Sequence, residues 1–216
     1  MNVSLLEVPF LAAATGTISL GNGSGDQVNS GGIANATISL GNGDHDRVNL
    51  PGDLHDIITL GNGAGDYVGI PANFQGDTAS FYDTTTLGNG AGDVVNVPSR
   101  SSTEVITLGN GAGDTVTAGG FVVAGTNDKI TLGDGAGDVV TAAKEGATIT
   151  LGNRAGDVVK FGLGFPGFAV DSTITLGNGN NDLVDLDTFT AISGTSGSTI
   201  SLGNGNNDVV MAFTRW

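Results

Sequence analysis

The 216-residue chain contains no cysteine, so it holds no disulfide and no thiolate metal site, and a stable extracellular fold needs another kind of staple. Aromatic residues are scarce at 6%, with a single Trp, Trp216, which argues against a broad core of large interlocking rings. Basic residues are few: 7 Lys and Arg stand against 22 Asp and Glu, for a net charge of −15. Such a chain repels nucleic acid and anionic lipid and attracts cations. No apolar run approaches the ~18 residues that span a bilayer. The segment from Met1 to Gly16 lacks a basic leader and carries Glu7 inside its apolar stretch, so neither membrane insertion nor a cleaved export signal is expected.

What is abundant is glycine, 38 residues in all, and it recurs in register. The block ITLGNGAGDVV, or a close variant, is found nine times, anchored on Leu20, Leu40, Leu60, Leu87, Leu108, Leu132, Leu151, Leu176 and Leu202. Anchors are 19 to 27 residues apart, yet the distance from the Ile before each anchor to the Val after it stays at ten. Length therefore varies on one side only. Ile18 and Leu20 alternate with Thr17 and Ser19, the period of a strand with one buried face, and Val28 resumes that pattern after the glycine-rich stretch Gly21 to Asp26. Each block reads as strand, fixed turn, strand and variable return loop.

Stacking such units joins like strands in parallel, and the crossover rule sets the hand. The expected fold is all-β: a right-handed parallel β-solenoid of nine coils over residues 17–211, roughly 43 Å long at about 4.8 Å per rung. Residues 1–16 are expected to form an N-terminal cap or docking segment and 212–216 a C-terminal tail. Ile18, Ile38, Ile58, Ile106, Ile130, Ile149, Ile174 and Ile200, with the Leu anchors and the repeated Val, should fill the interior; Thr85 alone breaks the Ile column.

At the sixth place after every anchor stands an acid: Asp26, Asp46, Asp66, Asp93, Asp114, Asp138, Asp157, Asp182 and Asp208. Stacked one rung apart, two such charges repel by roughly 3 kcal/mol at an effective dielectric near 20. The escapes are protonation and cation binding. The surroundings offer a hard cation carboxylates, glycine carbonyls and, at the second place, Asn22, Asn42, Asn62, Asn89, Asn110, Asp134, Asn153, Asn178 and Asn204. Oxygen ligands in a flexible loop suit calcium better than magnesium, and the turns lack the Cys and regular His that zinc prefers. The competing structural reading is an Asn and Asp ladder that only satisfies turn amides. Arg154 occupies a third place that is Gly in every other block, and is expected either to substitute for a nearby ion or to point into solvent.

The block resembles the calcium-binding nonapeptide GGxGxDxUx of the repeats-in-toxin (RTX) family, over nearly the whole chain. Against that motif Gly21, Gly23, Asp26 and Val28 take the roles of glycine, glycine, ligand aspartate and core residue, and the other eight blocks follow. The resemblance implies an RTX-like β-roll, calcium as cofactor and secretion from a bacterium. The family usually carries calcium turns on both edges, whereas here one edge is regular. Asp56 before Ile58, and Gly125 to Asp128 before Ile130, read as isolated extra sites at best.

Other arrays carry less. Thr17 and Ser19, Thr37 and Ser39, Thr84 and Thr86, Thr148 and Thr150, Thr173 and Thr175, and Thr199 and Ser201 form outward hydroxyl ranks similar to those of ice-binding solenoids. Ile57, Val105 and Lys129 interrupt them, and Thr favours any exposed strand. Val139, Val158, Leu183 and Val209 form an outward apolar stripe, and the loop from Phe161 to Phe168 is similarly apolar. An enzyme is not expected: there is no nucleophile elbow, His45 and His55 have unlike neighbours, and nine equivalent acids do not make one differentiated catalytic pair. The expected function is a secreted, calcium-folded structural solenoid at the bacterial cell surface that self-associates end to end. The alternative is a calcium-responsive module of a larger toxin, exported enzyme or adhesin.

Overall fold

A computed structural model describes residues 2–4, 14–29, 33–50, 55–71, 82–97, 103–119, 127–142, 146–161, 171–186 and 197–211. They form nineteen strands. In chain order these are β1 (Asn2–Ser4), β2 (Ala14–Ser19), β3 (Gln27–Asn29), β4 (Ile33–Ser39), β5 (Arg47–Asn49), β6 (Ile57–Thr59), β7 (Tyr67–Gly69), β8 (Thr84–Thr86), β9 (Val94–Val97) and β10 (Val105–Thr107). They continue with β11 (Thr115–Ala118), β12 (Lys129–Thr131), β13 (Val139–Ala142), β14 (Thr148–Thr150), β15 (Val158–Phe161), β16 (Thr173–Thr175), β17 (Leu183–Asp185), β18 (Thr199–Ser201) and β19 (Val209–Met211). The ten odd-numbered strands form one sheet in sequence order, the nine even-numbered strands a second. Among the described residues neighbouring strands run parallel, as in Thr115 to Ala118 beside Val139 to Ala142. The chain is an all-β parallel β-solenoid, with no helix among the described residues.

Short of the last rung, the alternation puts the middle residue of each three-residue strand inside. Ile38, Ile58, Ile106, Ile130, Ile149 and Ile174 come from the even sheet, and Val28, Val48, Val68, Val95, Val116, Val140, Val159 and Val184 from the odd sheet; all are buried. Each such side chain contributes about 2 kcal/mol on leaving water. Thr85, the break in the Ile column, is buried with them. A further inward row, Leu50, Ile70, Val97, Ala118, Ala142, Phe161 and Leu186, extends the core toward the return side. Its sizes differ because the return loops differ, which hid it from a search for repeats.

The turn glycines serve two separate purposes. At the fifth place the backbone is left-handed in all nine blocks: φ is 73° at Gly25, 74° at Gly113 and 83° at Gly156, and it stays positive where His45, Asn181 and Asn207 replace glycine. At the first and third places the reason is crowding between rungs. A Cβ on Gly111 would strike the carbonyl oxygen of Gly90, and one on Gly88 the carbonyl of Gly61.

The N-terminal segment contributes structure at both ends of its expected range. β1 lies along β3, pairing Asn2 with Gln27 and Ser4 with Asn29, and β2 already begins at Ala14. Residues 5–13, with most of the apolar residues read as a cap, lie outside the described residues, as do residues 162–168 of the apolar loop and the tail 212–216. At the last rung Val209 and Val210 are 46% and 43% exposed, against 0% for Val184 one rung earlier.

Candidate metal-binding rows

All the motif aspartates from Asp26 to Asp182 are buried; Asp208, on the last rung, is half-buried. They lie inside the turn because each residue follows the left-handed fifth place and precedes an odd-sheet strand. One carboxylate oxygen has a fixed duty. Asp46 Oδ1 accepts the backbone N–H of Asp26 at 2.8 Å, Asp66 Oδ1 that of Asp46 at 3.0 Å, and the chain continues through Asp114 to Asp138 at 3.0 Å and Asp182 to Asp208 at 3.1 Å. So the ladder that satisfies turn amides exists, and it uses half of each carboxylate.

The other half is the chemically informative one. Oδ2 of Asp46, Asp66, Asp93, Asp114, Asp138, Asp157 and Asp182 is buried with no hydrogen-bond partner. A buried polar oxygen without a partner costs free energy, and a buried unpaired charge costs more. Burial pushes these acids upward, with neighbouring carboxylates adding to the effect: Asp66 and Asp157 to about 7, Asp114 and Asp138 to about 6. Hydrogen bonds from the preceding rung pull in the opposite direction without cancelling the shift.

The donor set around Oδ2 fits a hard, oxygen-seeking cation. A Cβ on Gly135 would meet both the carbonyl oxygen of Gly111 and, at 2.7 Å, Asp138 Oδ2. A Cβ on Gly179 would likewise meet the Arg154 carbonyl and, at 2.7 Å, Asp182 Oδ2. Carbonyl of one rung and carboxylate of the next thus converge where a side chain is absent. No group of three or more His, Asp or Glu side chains gathers for a metal among the described residues. An ion in this row would therefore be held by roughly one carboxylate per rung together with backbone oxygens, a calcium-like rather than a zinc-like set.

The second-place row is built differently. Asn42, Asn62, Asn89, Asn110, Asn153, Asn178 and Asn204 are exposed, and their amides form an outer ladder. Asn62 Oδ1 accepts the backbone N–H of Asn89 at 3.0 Å and its Nδ2–H at 3.0 Å. Asn22 begins the ladder by accepting the Asn42 N–H, and Asn178 continues it to Asn204. Asp134 fits as an acceptor for Asn153 N–H at 2.8 Å and Nδ2–H at 2.9 Å, bonds that hold its carboxyl below the usual range. The structure therefore separates the two proposed ligand rows into a buried one with spare oxygens and an outer one whose Oδ1 atoms already accept. Arg154 is exposed, in keeping with its pointing into solvent.

A third row shows in the sequence only as the isolated sites at Asp56 and Asp128; that Asp83 and Glu104 join them escaped sequence reasoning. Asp56, Asp83, Glu104 and Asp128 each directly precede an even-sheet strand, and the pairing of β6, β8, β10 and β12 stacks them on consecutive rungs. All four are buried. Asp83 Oδ1 accepts the Asp56 N–H at 2.8 Å, and Asp128 Oδ1 the Glu104 N–H at 3.0 Å, the same construction as in the motif row. Their spacings of 27, 21 and 24 follow the loop lengths, so only the recurring acid one residue before each strand could have revealed them.

Set against known families, characterised proteins and solved structures, the chain has no significant match.

Proposed function

We propose that the chain is a right-handed, RTX-like β-roll of nine coils that folds on calcium, is secreted, and serves a structural, self-associating role at the bacterial cell surface. The observation that carries the calcium reading is the row of seven buried Oδ2 atoms without a partner. A proton would neutralise each carboxylate, whereas a calcium ion takes up charge and lone pair together and also draws on the backbone carbonyls that converge there. Asp26, Asp46, Asp66, Asp93, Asp114, Asp138, Asp157, Asp182 and Asp208 would hold the ions, with third-place carbonyls beside them. What calcium supplies is charge neutralisation between rungs; the chain's residues supply the oxygens and the glycine gaps. An enzymatic role finds no support, since the acids are equivalent from rung to rung.

The structural role is supported by the open final rung, where β18 and β19 have neighbours on one side only among the described residues and Val209 and Val210 are exposed. Unpaired strand edges template further pairing, and a head-to-tail contact of this kind grows into filaments. The same edge favours one second reading, a module whose final rung is covered by the rest of a larger toxin, exported enzyme or adhesin.

Circular dichroism and light scattering, in calcium and in chelator, test both parts. Calcium should restore a β signal and a melting transition that chelator removes, and it should drive growth in particle size. A chelated sample with the same β signal and melting temperature overturns the calcium reading. Monodisperse monomers in calcium at high concentration overturn self-association and leave the module.

A further inference from the structure

We propose that the pair Asn22–Gly23 on the first rung is a self-modification site, converting to aspartate and isoaspartate through a cyclic succinimide, with Asn204–Gly205 on the last rung second. Seven second-place asparagines, from Asn22 to Asn204, are followed directly by glycine; Asn153 is followed by Arg154. Glycine has no side chain to keep its main-chain nitrogen from the neighbouring amide. In the reaction that nitrogen gives its proton to water and bonds to the asparagine Cγ, the Cγ–Nδ2 bond breaks, and Nδ2 leaves as ammonia. Water then opens the ring at either carbonyl. No oxidant or further reactant is needed.

The seven pairs share a sequence and differ in how the fold holds them. Asn89 is tied three ways: its Oδ1 accepts the Asn110 N–H at 2.9 Å and Nδ2–H at 3.1 Å, and its own Nδ2 donates to Asn62 Oδ1 at 3.0 Å. Asn62 is tied in the same three ways, to Asn89 and Asn42. Asn22 has a single tie, the Asn42 N–H on its Oδ1 at 3.0 Å, so its leaving Nδ2 is unbonded among the described residues. Asn204 keeps one side-chain tie, from its Nδ2 to Asn178 Oδ1 at 3.1 Å. Exposure of the attacking nitrogen's residue follows the same order. Gly23 is exposed and Gly205 half-buried, whereas Gly43, Gly63, Gly90, Gly111 and Gly179 are buried. The amide that must lose a proton to water is therefore open at the ends of the ladder and closed within it.

Asp134 shows what the ladder tolerates as product. This encoded acid still accepts the Asn153 N–H and Nδ2–H, so an aspartate at the second place keeps the bonds to the following rung. Isoaspartate instead adds a methylene to the main chain, in a turn where a Cβ on Gly43 would already strike the Gly23 carbonyl. It should loosen the first turn from the second.

The full chain is aged in calcium at mildly alkaline pH, and each pair is followed by peptide mapping with tandem mass spectrometry. Breaking two further hydrogen bonds slows the reaction by roughly a hundredfold, at about tenfold for each, so Asn22 should convert about that much faster than Asn62 or Asn89. In denaturant all seven should convert at similar rates. Gly23→Ala, whose Cβ would come no closer than 3.6 Å to Asp26 Oδ2, should slow Asn22 alone. Asn62→Ala, which takes the acceptor from Asn89 Nδ2, should speed Asn89 and leave Asn178 unchanged. If Asn62 and Asn89 keep pace with Asn22 in the folded chain, the ladder protects nothing and the first rung is no special site. If Gly23→Ala leaves the rate at Asn22 unchanged, the succinimide route is overturned.

Discussion

The two edges of the solenoid are built alike and written differently. On the motif edge a left-handed residue, a buried acid and a strand follow one another at Gly25, Asp26 and Gln27; on the return edge His55, with φ of 57°, Asp56 and Ile57 repeat the order. On either edge the acid of one rung caps an N–H of the rung before it, Asp46 that of Asp26 and Asp56 that of Ala36. The motif edge shows in the sequence because its turn has one length and its close rungs forbid a Cβ at two places. The return edge allows loops of different length, so the same local chemistry drifts in spacing. Regular spelling therefore marks steric crowding, while acids mark the chemistry, and the two need not coincide.

The sharpest break of the comparison is steric. Gly111→Ala would set a Cβ against the Gly90 carbonyl, in backbone that cannot yield without opening the rung, and about 3 kcal/mol of destabilisation is expected, the upper end of overpacking costs. On the return edge Ala147→Ser adds one oxygen where Ser172 and Ser198 already stand in the same column, so a change below about 1 kcal/mol is expected. Thermal melts in calcium compare the two. Equal effects would remove the distinction between a crowded edge and a tolerant one.

Acidity tests the charge both edges share. Asp66, Asp114, Asp138 and Asp157 have folded values of about 6 to 7 against 3.8 for the free side chain, and Asp83 is also raised. A group raised on folding contributes stability fully below its unfolded value and loses it as pH rises through the folded one. In chelator the chain should therefore be more stable near pH 4 to 5 than near pH 8, against the usual acid denaturation. Calcium should reverse the order, because it binds the carboxylate form. A melting temperature in chelator that falls steadily from pH 8 to pH 4 would show that these carboxyls stay charged without metal.

A smaller effect separates amide capping from ion binding. Asp114→Asn keeps an acceptor for the Asp93 N–H and removes the charge, so in chelator at neutral pH stability should be unchanged or rise slightly. In calcium the same change should lower stoichiometry and the cooperativity of the transition, as should Asp138→Asn. Equilibrium dialysis and melts read the two effects; unchanged stoichiometry in both variants would move the ligands away from the motif row.

Much of this was legible in advance. The Ile, Leu and Val columns, the parallel stacking and the motif acids followed from a block of constant length, and the fold buries those residues as the alternation required, except at the terminal rungs. The inward row from Leu50 to Leu186 was hidden because its side chains vary, and β1 because its segment carries no copy of the block. Calcium ligation was inferred from residue types. Sequence could not say that Oδ1 caps an amide while Oδ2 does not, since that depends on how closely the rungs approach.

The face between the edges should respond least. On the even sheet Ser19, Ser39, Thr59, Thr86, Thr107, Thr131, Thr150, Thr175 and Ser201 keep one outward rank entirely hydroxylated, while Ile57, Val105 and Lys129 interrupt the other. Their strands pair without shift from Thr148 to Thr173 to Thr199, so the ranks are straight. Straight ranks alone follow from stacking, and β-branched hydroxyl residues suit any half-exposed strand. If stability resides in the edges, Thr150→Val should change it by less than about 0.5 kcal/mol, the ordinary range for surface substitutions. If the ranks are scaffold, thermal hysteresis of ice growth measured in calcium should be negligible, with Thr148→Tyr and Thr173→Tyr indistinguishable from the parent. Hysteresis that vanished with either tyrosine would make the face, rather than the edges, the working surface of the molecule.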